Sequence, residues 1–441
     1  MVAKESKEVR DLKTNKEIND NDGRCKSSKT LGIEAPYLDL KKAGPRSPCN
    51  SDVIYLLPDL KALRFHSIID RSFPMQVVSD EAIMTTRVQS LAQSGLSRVP
   101  PQYIQPPQTR PIRHAPPESD SESIPVIDLC SFDPTQRAST RDSIARACRH
   151  WGAFHVTNHG VPPSLLASLR RAGLSFFSDT PMPDKLRYSC SAAAASEGYG
   201  SKMLATTTTT TTSDQNGAVQ VLDWRDYFDH HTLPLSRRNP TRWPESPSDY
   251  RELVARYSDE MNVLAQKLLA LISESLGLRA SCIEDAVGEF YQNITISYYP
   301  PCPEPDLTLG LQSHSDMGAI TLLIQDDVGG LQVLKGSDKW VTVQPLSDAV
   351  LVLLADQTEI ITNGKYRSCE HRAITNPDRA RLSVATFHDP AKTAKISPAS
   401  ELINDSSPAK YRDVVYGDYV SSWYTKGPGG KRNIDALVLD S

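Results

Sequence analysis

The sequence of 441 residues predicts a mixed α and β fold, with a helix-rich N-terminal region packed around a C-terminal β-barrel. Two observations carry the prediction. After about residue 290 the apolar pattern changes from helical to strand-like, with short β-rich runs separated by Gly, Pro, Asp and Asn signals, the spacing of an all-β barrel or sandwich. Before that point, residues 248–277 carry the clearest helical period in the chain. With 39% hydrophobic and 23% charged residues there is material for a substantial core. A net charge of −4 and a pI near 6.2 argue against a dedicated nucleic-acid binder. The longest apolar run, Ala349 to Ala355, is far too short to span a membrane. The start, MVAKESKEVR, is followed by no apolar segment of a secretory signal, and the eight cysteines form no CxxC pair. The expectation is a soluble, cytoplasmic monomer without nucleic-acid or membrane partners, its thiols mostly small buried hydrophobes.

In chain order, residues 1–83 carry too few apolar patches for a core and read as a disordered extension or an artefact of the start site. The text changes at Met84, where Val88, Leu91 and Leu96 fall on roughly one side of a helix-competent stretch leading into a proline-rich arm. Residues 84–285 form the helix-rich region. IPVIDL from Ile124 is a short strand, residues 137–150 and 163–177 have helical spacing, and WGAFHVTNHG between them reads as a strand closing at Gly160. The threonine run 206–212 has no packing information and marks a surface insertion. In the 248–277 helix, Ser248 is placed to cap, Leu253, Tyr257, Met261, Leu264, Leu268 and Leu271 keep one face apolar, and Gly277 ends it. Residues 286–395 form the barrel, with strands expected at QNITISYY, AITLLIQ, LQVL, KWVTVQ, VLVLLA, QTEIIT, HRAIT and RLSVATFH. Residues 396–441 pack on it.

Chemistry is carried by His314-Ser315-Asp316 and, farther along the barrel, His371. In an extended chain His314 and Asp316 point to the same side. With a second histidine from a neighbouring strand they make a 2-His-1-carboxylate facial triad, which leaves three adjacent positions open on an octahedral metal and suits non-haem Fe(II). Arg381-Leu382-Ser383 adds an arginine fork and a hydroxyl on one strand face, able to grip a carboxylate whose far end chelates that metal. An HxD turn or a strand arginine taken alone means little; the three in order within one β-region make a strong signal.

On these residues, and on IPVIDL, WGAFHVTNHGV, EGYGSKM, LDWRDYF, SYYPPCPEPDLTLGLQSHSDMGAITLLIQDDVGGLQVL, ITNGKYRSCEHRAI and RLSVATF, the chain resembles the plant 2-oxoglutarate and Fe(II)-dependent dioxygenases of the anthocyanidin synthase, flavonol synthase and jasmonate-induced oxygenase group. The resemblance covers nearly all of residues 84–441 and implies a double-stranded β-helix, a jelly-roll barrel. It implies that His314, Asp316 and His371 bind Fe(II), that Arg381 and Ser383 hold the distal carboxylate of 2-oxoglutarate, and that Tyr299 donates to the same co-substrate. O2 would be the second co-substrate and ascorbate a supporting reductant. Phe387, Asp389 and Tyr227 match substrate-pocket positions. Ser297 stands where the family commonly has Asn, Met317 where proline is frequent, and Asp229 where an aromatic is frequent. The implied reaction is hydroxylation or desaturation of a small plant metabolite. Because Asp389 would repel an anion, a flavonoid or other phenolic is favoured over a jasmonate-type hormone carboxylate. A 2-oxoglutarate-independent iron oxidase and an inactive binding protein are the remaining alternatives.

Other polar residues are assigned plainer roles: His230 and His231 to packing or the surface, with pocket lining as the alternative; His150, His155, His159 and His388 to core and turn; Cys302 to the core; Gly329-Gly330 to a strand-entry turn; Arg237-Arg238 to a solvated loop.

Overall fold

The computed structural model describes residues 87–111, 123–130, 134–190, 197–201, 221–426 and 429–439. The expected extension over 1–83 and the threonine run lie outside them. Twelve strands form the two main sheets: β1 (Val126–Asp128), β2 (Ala153–Thr157), β3 (Gly198–Gly200), β4 (Asp226–His231), β5 (Tyr291–Tyr299), β6 (Leu309–His314), β7 (Ile320–Gln325), β8 (Leu331–Lys335), β9 (Lys339–Thr342), β10 (Val350–Leu354), β11 (His371–Ile374) and β12 (Arg381–Asp389). The larger sheet has the order β1-β2-β10-β7-β12-β5-β4-β3 and the smaller β6-β11-β8-β9. Among these twelve strands only the β1–β2 pairing is parallel. The first four strands of the large sheet precede residue 285, so the N-terminal region supplies sheet as well as helix.

Period-2 alternation divides the large sheet between two environments. One face carries Phe154, Leu322, Ile324, Val352, Val384, Ile294, Ile296 and Phe228 into the main core. There they meet Leu165, Leu166, Leu169 and Phe176 of helix α1 (Pro163–Ser178) and Tyr257, Met261, Leu264 and Leu268 of helix α2 (Tyr250–Ser275). The other face looks into the barrel, where Leu323, Leu351 and Leu353 pack against Leu331, Val333 and Val341 of the smaller sheet. At about 25 cal/mol per Å² of apolar surface, both layers hold the barrel shut and leave the rest of its interior for polar side chains.

Most of the expected elements form, with differences that have physical causes. Helix α2 begins after Asp249, not Ser248, and no side-chain cap bond is made; the backbone turn from Pro247 O to Tyr250 N closes its start instead. Leu96 lies beyond the short helix Val88–Gln93 and is exposed. QTEIIT is not a strand: helix α3 (Asp356–Ile361) occupies it. Its Ile and Thr content reads as β, and because all six residues are buried no helical stripe marks it. Tertiary bonds hold the helix, Thr358 Oγ1 donating to Ala319 O (2.7 Å) and Gln357 Nε2 to Met317 O (2.7 Å). The Arg237-Arg238 pair is half-buried, not solvated. Arg237 lies over the Tyr291 ring (4.9 Å), and Arg238 donates to Thr232 O, Ser258 Oγ and Asp259 Oδ1. Among the described residues no helix is long and apolar enough to cross a membrane.

Candidate active site

His371 opens β11 and pairs in register with His314, which closes β6; Asp316 follows two residues on. The pairing brings the ring centroids to 4.4 Å. Asp316 Oδ1 lies 3.6 Å from His314 Nε2 and 3.8 Å from His371 Nε2, and one donor atom from each of the three fits within 4.8 Å. Among the described residues this is the one such group of histidine, cysteine and carboxylate side chains. All three residues are buried.

Each histidine is oriented by its own strand. His314 Nδ1 bonds Gln312 O (2.8 Å) and His371 Nδ1 bonds Cys369 O (2.9 Å). Those carbonyls can only accept, so Nδ1 carries the hydrogen and Nε2 turns its lone pair toward Asp316. Burial pushes His371 down to about 4, which keeps it neutral. Burial alone would raise the Asp316 carboxyl; a proton carried on Nε2 of His371 or His314 holds it down, to about 2. Asp316 Oδ2 has no hydrogen-bond partner despite its burial, an unmet acceptor that a divalent cation satisfies. Two imidazole nitrogens and one carboxylate oxygen are a donor set that suits non-haem Fe(II).

The strand pairs next to the triad place the other expected residues along one wall. In β12, Arg381, Ser383, Phe387 and Asp389 alternate onto the barrel face. They lie opposite Tyr299, Ser297, Asn293 and Tyr291 of β5, and β4 continues the rows with Tyr227 opposite Ser297 and Asp229 opposite Thr295. Burial grades along this wall. Asp389, Phe387, Tyr291, Asn293 and Thr295 are half-buried, whereas Ser383, Arg381, Ser297 and Tyr299 are buried. The interior is therefore a funnel that opens at Asp389 and narrows to Arg381.

At the narrow end Arg381 Nη2 donates to Gln325 Oε1 (3.0 Å) and the guanidinium lies over the Tyr299 ring (4.8 Å). Its Nε and Nη1 are buried without a partner. An arginine held with two free donors in the interior is a fork awaiting an anion. The Tyr299 hydroxyl, which burial alone would make less acidic, is pulled below its usual range by Arg381 and Arg225. Arg225, fully buried, donates from Nη1 to Ser297 Oγ (3.2 Å), so serine in place of the usual asparagine is engaged with the protein itself.

At the open end Asp389 presses on the backbone beside the triad: a Cβ on Gly318 would lie 2.0 Å from Asp389 Oδ1. Burial pushes the Asp389 carboxyl up to about 7, with the Tyr416 hydroxyl lowering it and Asp316 raising it. Asp229 is pushed up to about 6 by burial, against the hydrogen bond it accepts from Thr295 Oγ1. An acid whose folded value lies above its ordinary 3.8 holds a proton in the fold that the unfolded chain has lost. The contribution of Asp389 to stability therefore falls as pH rises from about 4 to about 7 and levels off above. Asp389→Asn removes that contribution, so the variant is expected to gain stability relative to wild type as pH rises through this window; denaturant midpoints of both proteins check it, and a difference that does not change with pH would refute the assignment.

The plainer assignments resolve as follows. His230 is fully buried between Ile294 O (2.9 Å) and Tyr250 OH (3.0 Å) on the helix side of β4. His231 shares the barrel row of Asn293. His159 closes a turn with Val161 N and Asp348 O, His388 bonds Gln292, His155 is buried and His150 exposed. Cys302 is buried against Thr308. Sequence reasoning missed Gln325 and Arg225; the signal for Gln325 is a polar residue closing the otherwise apolar run AITLLIQ.

Comparison with known proteins agrees with this geometry. The model of the 2OG-Fe(II) oxygenase superfamily matches residues 290–390, and that of the non-haem dioxygenase in morphine synthesis N-terminal region matches 124–246. The chain is 40% identical over 359 residues to jasmonate-induced oxygenase 1 of Arabidopsis thaliana, covering 80% of this chain and 86% of that protein. It is 37% identical over 326 residues to naringenin,2-oxoglutarate 3-dioxygenase of Hordeum vulgare, covering 74% and 81%. Among solved structures it is similar to JOX2 in complex with 2OG, Fe and JA, with TM-score 0.71 and 37% identity over 80% of this chain and 98% of that one. With a jelly-roll barrel, a buried His-Asp-His cluster and relatives of this likeness, the protein belongs to the 2OG-Fe(II) oxygenase superfamily and is a 2-oxoglutarate-dependent dioxygenase that uses iron.

Proposed function

We propose that His314, Asp316 and His371 hold the iron, that Arg381 and Ser383 grip the distal carboxylate of 2-oxoglutarate with Tyr299 alongside, and that the substrate is a small hydroxyl-bearing molecule of the flavonoid or other phenolic class. When bound, iron with 2-oxoglutarate supplies the oxidising power that O2 alone lacks toward a C–H bond, leading to hydroxylation or desaturation. The protein's residues do the rest. Arg381 pairs with the carboxylate in a fork, and burial at the narrow end excludes water from that pair. The rigid strands β4, β5 and β12 fix where the substrate's reacting carbon sits.

The observation that carries the substrate class is the wall at the open end. Asp389 and Asp229, two half-buried carboxyl groups raised toward neutrality, sit among Tyr227, Phe387 and Asn293. Carboxyl groups so placed, protonated or not, can pair with phenolic hydroxyls, while Phe387 offers an aromatic face. A second reading, a jasmonate-type carboxylate, is favoured by the likeness to JOX2 with JA and by the buried cation Arg225. A panel of flavonoids and hormone carboxylates, followed by mass for gain of one oxygen or loss of two hydrogens with matching succinate release, separates them. Turnover of phenolics that falls in Asp389→Ala supports the first reading. Turnover confined to carboxylates and lost in Arg225→Met replaces it with the second.

A further inference from the structure

Beside the triad lies a buried charged cluster to which the HxD and RxS motifs assign no role. Asp356 and Glu359 in α3 are 0% and 3% exposed. Lys431, from a C-terminal stretch that the sequence reading treats only as packing, enters between them. Its Nζ pairs with Glu359 Oε2 and donates to Ser368 Oγ (2.5 Å) and Ser368 O (3.2 Å). Tyr419 donates its hydroxyl to Asp356 Oδ2 (2.6 Å) and Tyr411 to Glu359 Oε1 (2.7 Å).

This cluster grips both arms that carry the proposed iron ligands. On the first arm, Ser315 Oγ donates to Asp356 Oδ2 (3.1 Å) and Asp356 N donates to the Asp316 carbonyl (2.9 Å). Next to Lys431, Gly430 N donates to Ser313 O (3.1 Å) and Ser315 N donates to Gly430 O (3.3 Å). Gly430 takes φ +59°, a conformation that favours glycine. On the second arm, Ser368 N donates to Glu359 Oε2 (2.5 Å) and Ser368 Oγ to Asp356 Oδ1 (2.6 Å). The residue after Ser368 is Cys369, whose carbonyl orients the His371 ring.

The geometry points to Lys431, Glu359 and Asp356 as positioning residues that set the separation of the two ligand-bearing arms, which makes Tyr411, Tyr419, Gly430 and Lys431 of the C-terminal segment a structural part of the iron centre. Sheet pairing cannot set that separation alone. The β6–β11 register shifts between His371 and Ala373, and Asp316 lies beyond the end of β6. A buried lysine between two carboxylates is a costly way to stabilise a fold, since apolar residues of similar volume do as well or better. It is an effective way to fix one arrangement of the segments bonded to it. Partners one layer out from a metal are generally worth 10–100-fold in its affinity.

The inference rests on the triad being the iron site, and the test separates the two. Anaerobic Fe(II) titration of the full chain by calorimetry is compared for wild type, Lys431→Met, Glu359→Leu/Lys431→Met and His371→Ala, alongside circular dichroism and unfolding midpoints. The double variant leaves no unpaired charge from the Lys431–Glu359 pair and should fold. It is expected to bind Fe(II) about 10–100-fold more weakly while keeping wild-type dichroism. A folded double variant with wild-type Fe(II) affinity overturns the inference. If it does not unfold cooperatively, Ser315→Ala, which removes the side-chain bond from the first arm to Asp356 and leaves the bond from Asp356 N to the Asp316 carbonyl, takes its place; wild-type affinity there overturns the inference equally. Wild-type Fe(II) affinity in His371→Ala would instead overturn the triad assignment itself.

Discussion

His371→Ala is expected to abolish succinate formation from 2-oxoglutarate and to weaken Fe(II) binding by more than about 100-fold, the upper value seen when only an outer partner of a metal is lost. His371 supplies one of three donor atoms that fit within 4.8 Å, and among the described residues no other histidine, cysteine or carboxylate joins that group. The ring is buried, so its removal leaves a gap, yet it makes only one hydrogen bond, to Cys369 O. The backbone of β11 remains paired on both sides, to β6 and β8. Loss of activity should therefore appear without loss of fold, and circular dichroism with an unfolding midpoint near wild type checks that half. Succinate release by a folded, iron-supplemented His371→Ala protein would sink the assignment. Asp316→Ala serves as a companion. With the carboxylate gone, two neutral imidazoles remain, and attraction for a dication drops by the whole of the ligand set's negative charge.

The parts of this site that sequence reveals are those fixed by short covalent distance. His314 and Asp316 are two residues apart, as are Arg381 and Ser383, and period-2 geometry nearly guarantees each pair a common face. What joins the pairs is register, which no local pattern states. His371 opposite His314 and Arg381 opposite Tyr299 follow from which strands become neighbours. β6 itself is poorly announced, since Leu309–His314 mixes Gly, Gln and Ser with two leucines. Helix α3 is misread for the opposite reason: burial on every side erases the amphipathic stripe that identifies a helix. Arg238 reads as a loop cation because its acceptors, Thr232 O, Ser258 and Asp259, come from separate segments. The Lys431 cluster is the extreme case. Its members, Asp356, Glu359, Ser368, Tyr411, Tyr419 and Lys431, are unremarkable in sequence and acquire meaning only when α3 and the C-terminal segment converge.

Arg381→Met is expected to raise the KM for 2-oxoglutarate by about 30-fold to several thousand-fold, the equivalent of the 2–5 kcal/mol generally lost when one partner of a buried, hydrogen-bonded charge pair is truncated. The same substitution should leave the ligand-free protein nearly as stable as wild type, or more so. In the free chain the guanidinium makes one hydrogen bond, to Gln325, and leaves Nε and Nη1 buried without partners. A buried unmet donor costs about 1–3 kcal/mol, and methionine removes that cost while filling similar space. Binding of 2-oxoglutarate is what repays wild-type Arg381, so the difference appears in the ligand-induced shift. At 100 times Kd a ligand stabilises the fold by about 2.7 kcal/mol, and at the same concentration the variant should show little of this. Arg381→Lys is the sharper control. It keeps the charge but loses the planar fork, and should recover only part of the affinity. Unfolding curves with and without 2-oxoglutarate, on all three proteins, read both effects at once. If Arg381→Met destabilises the free protein by more than the ligand-bound one, Arg381 is a structural cation and not the anchor of the co-substrate.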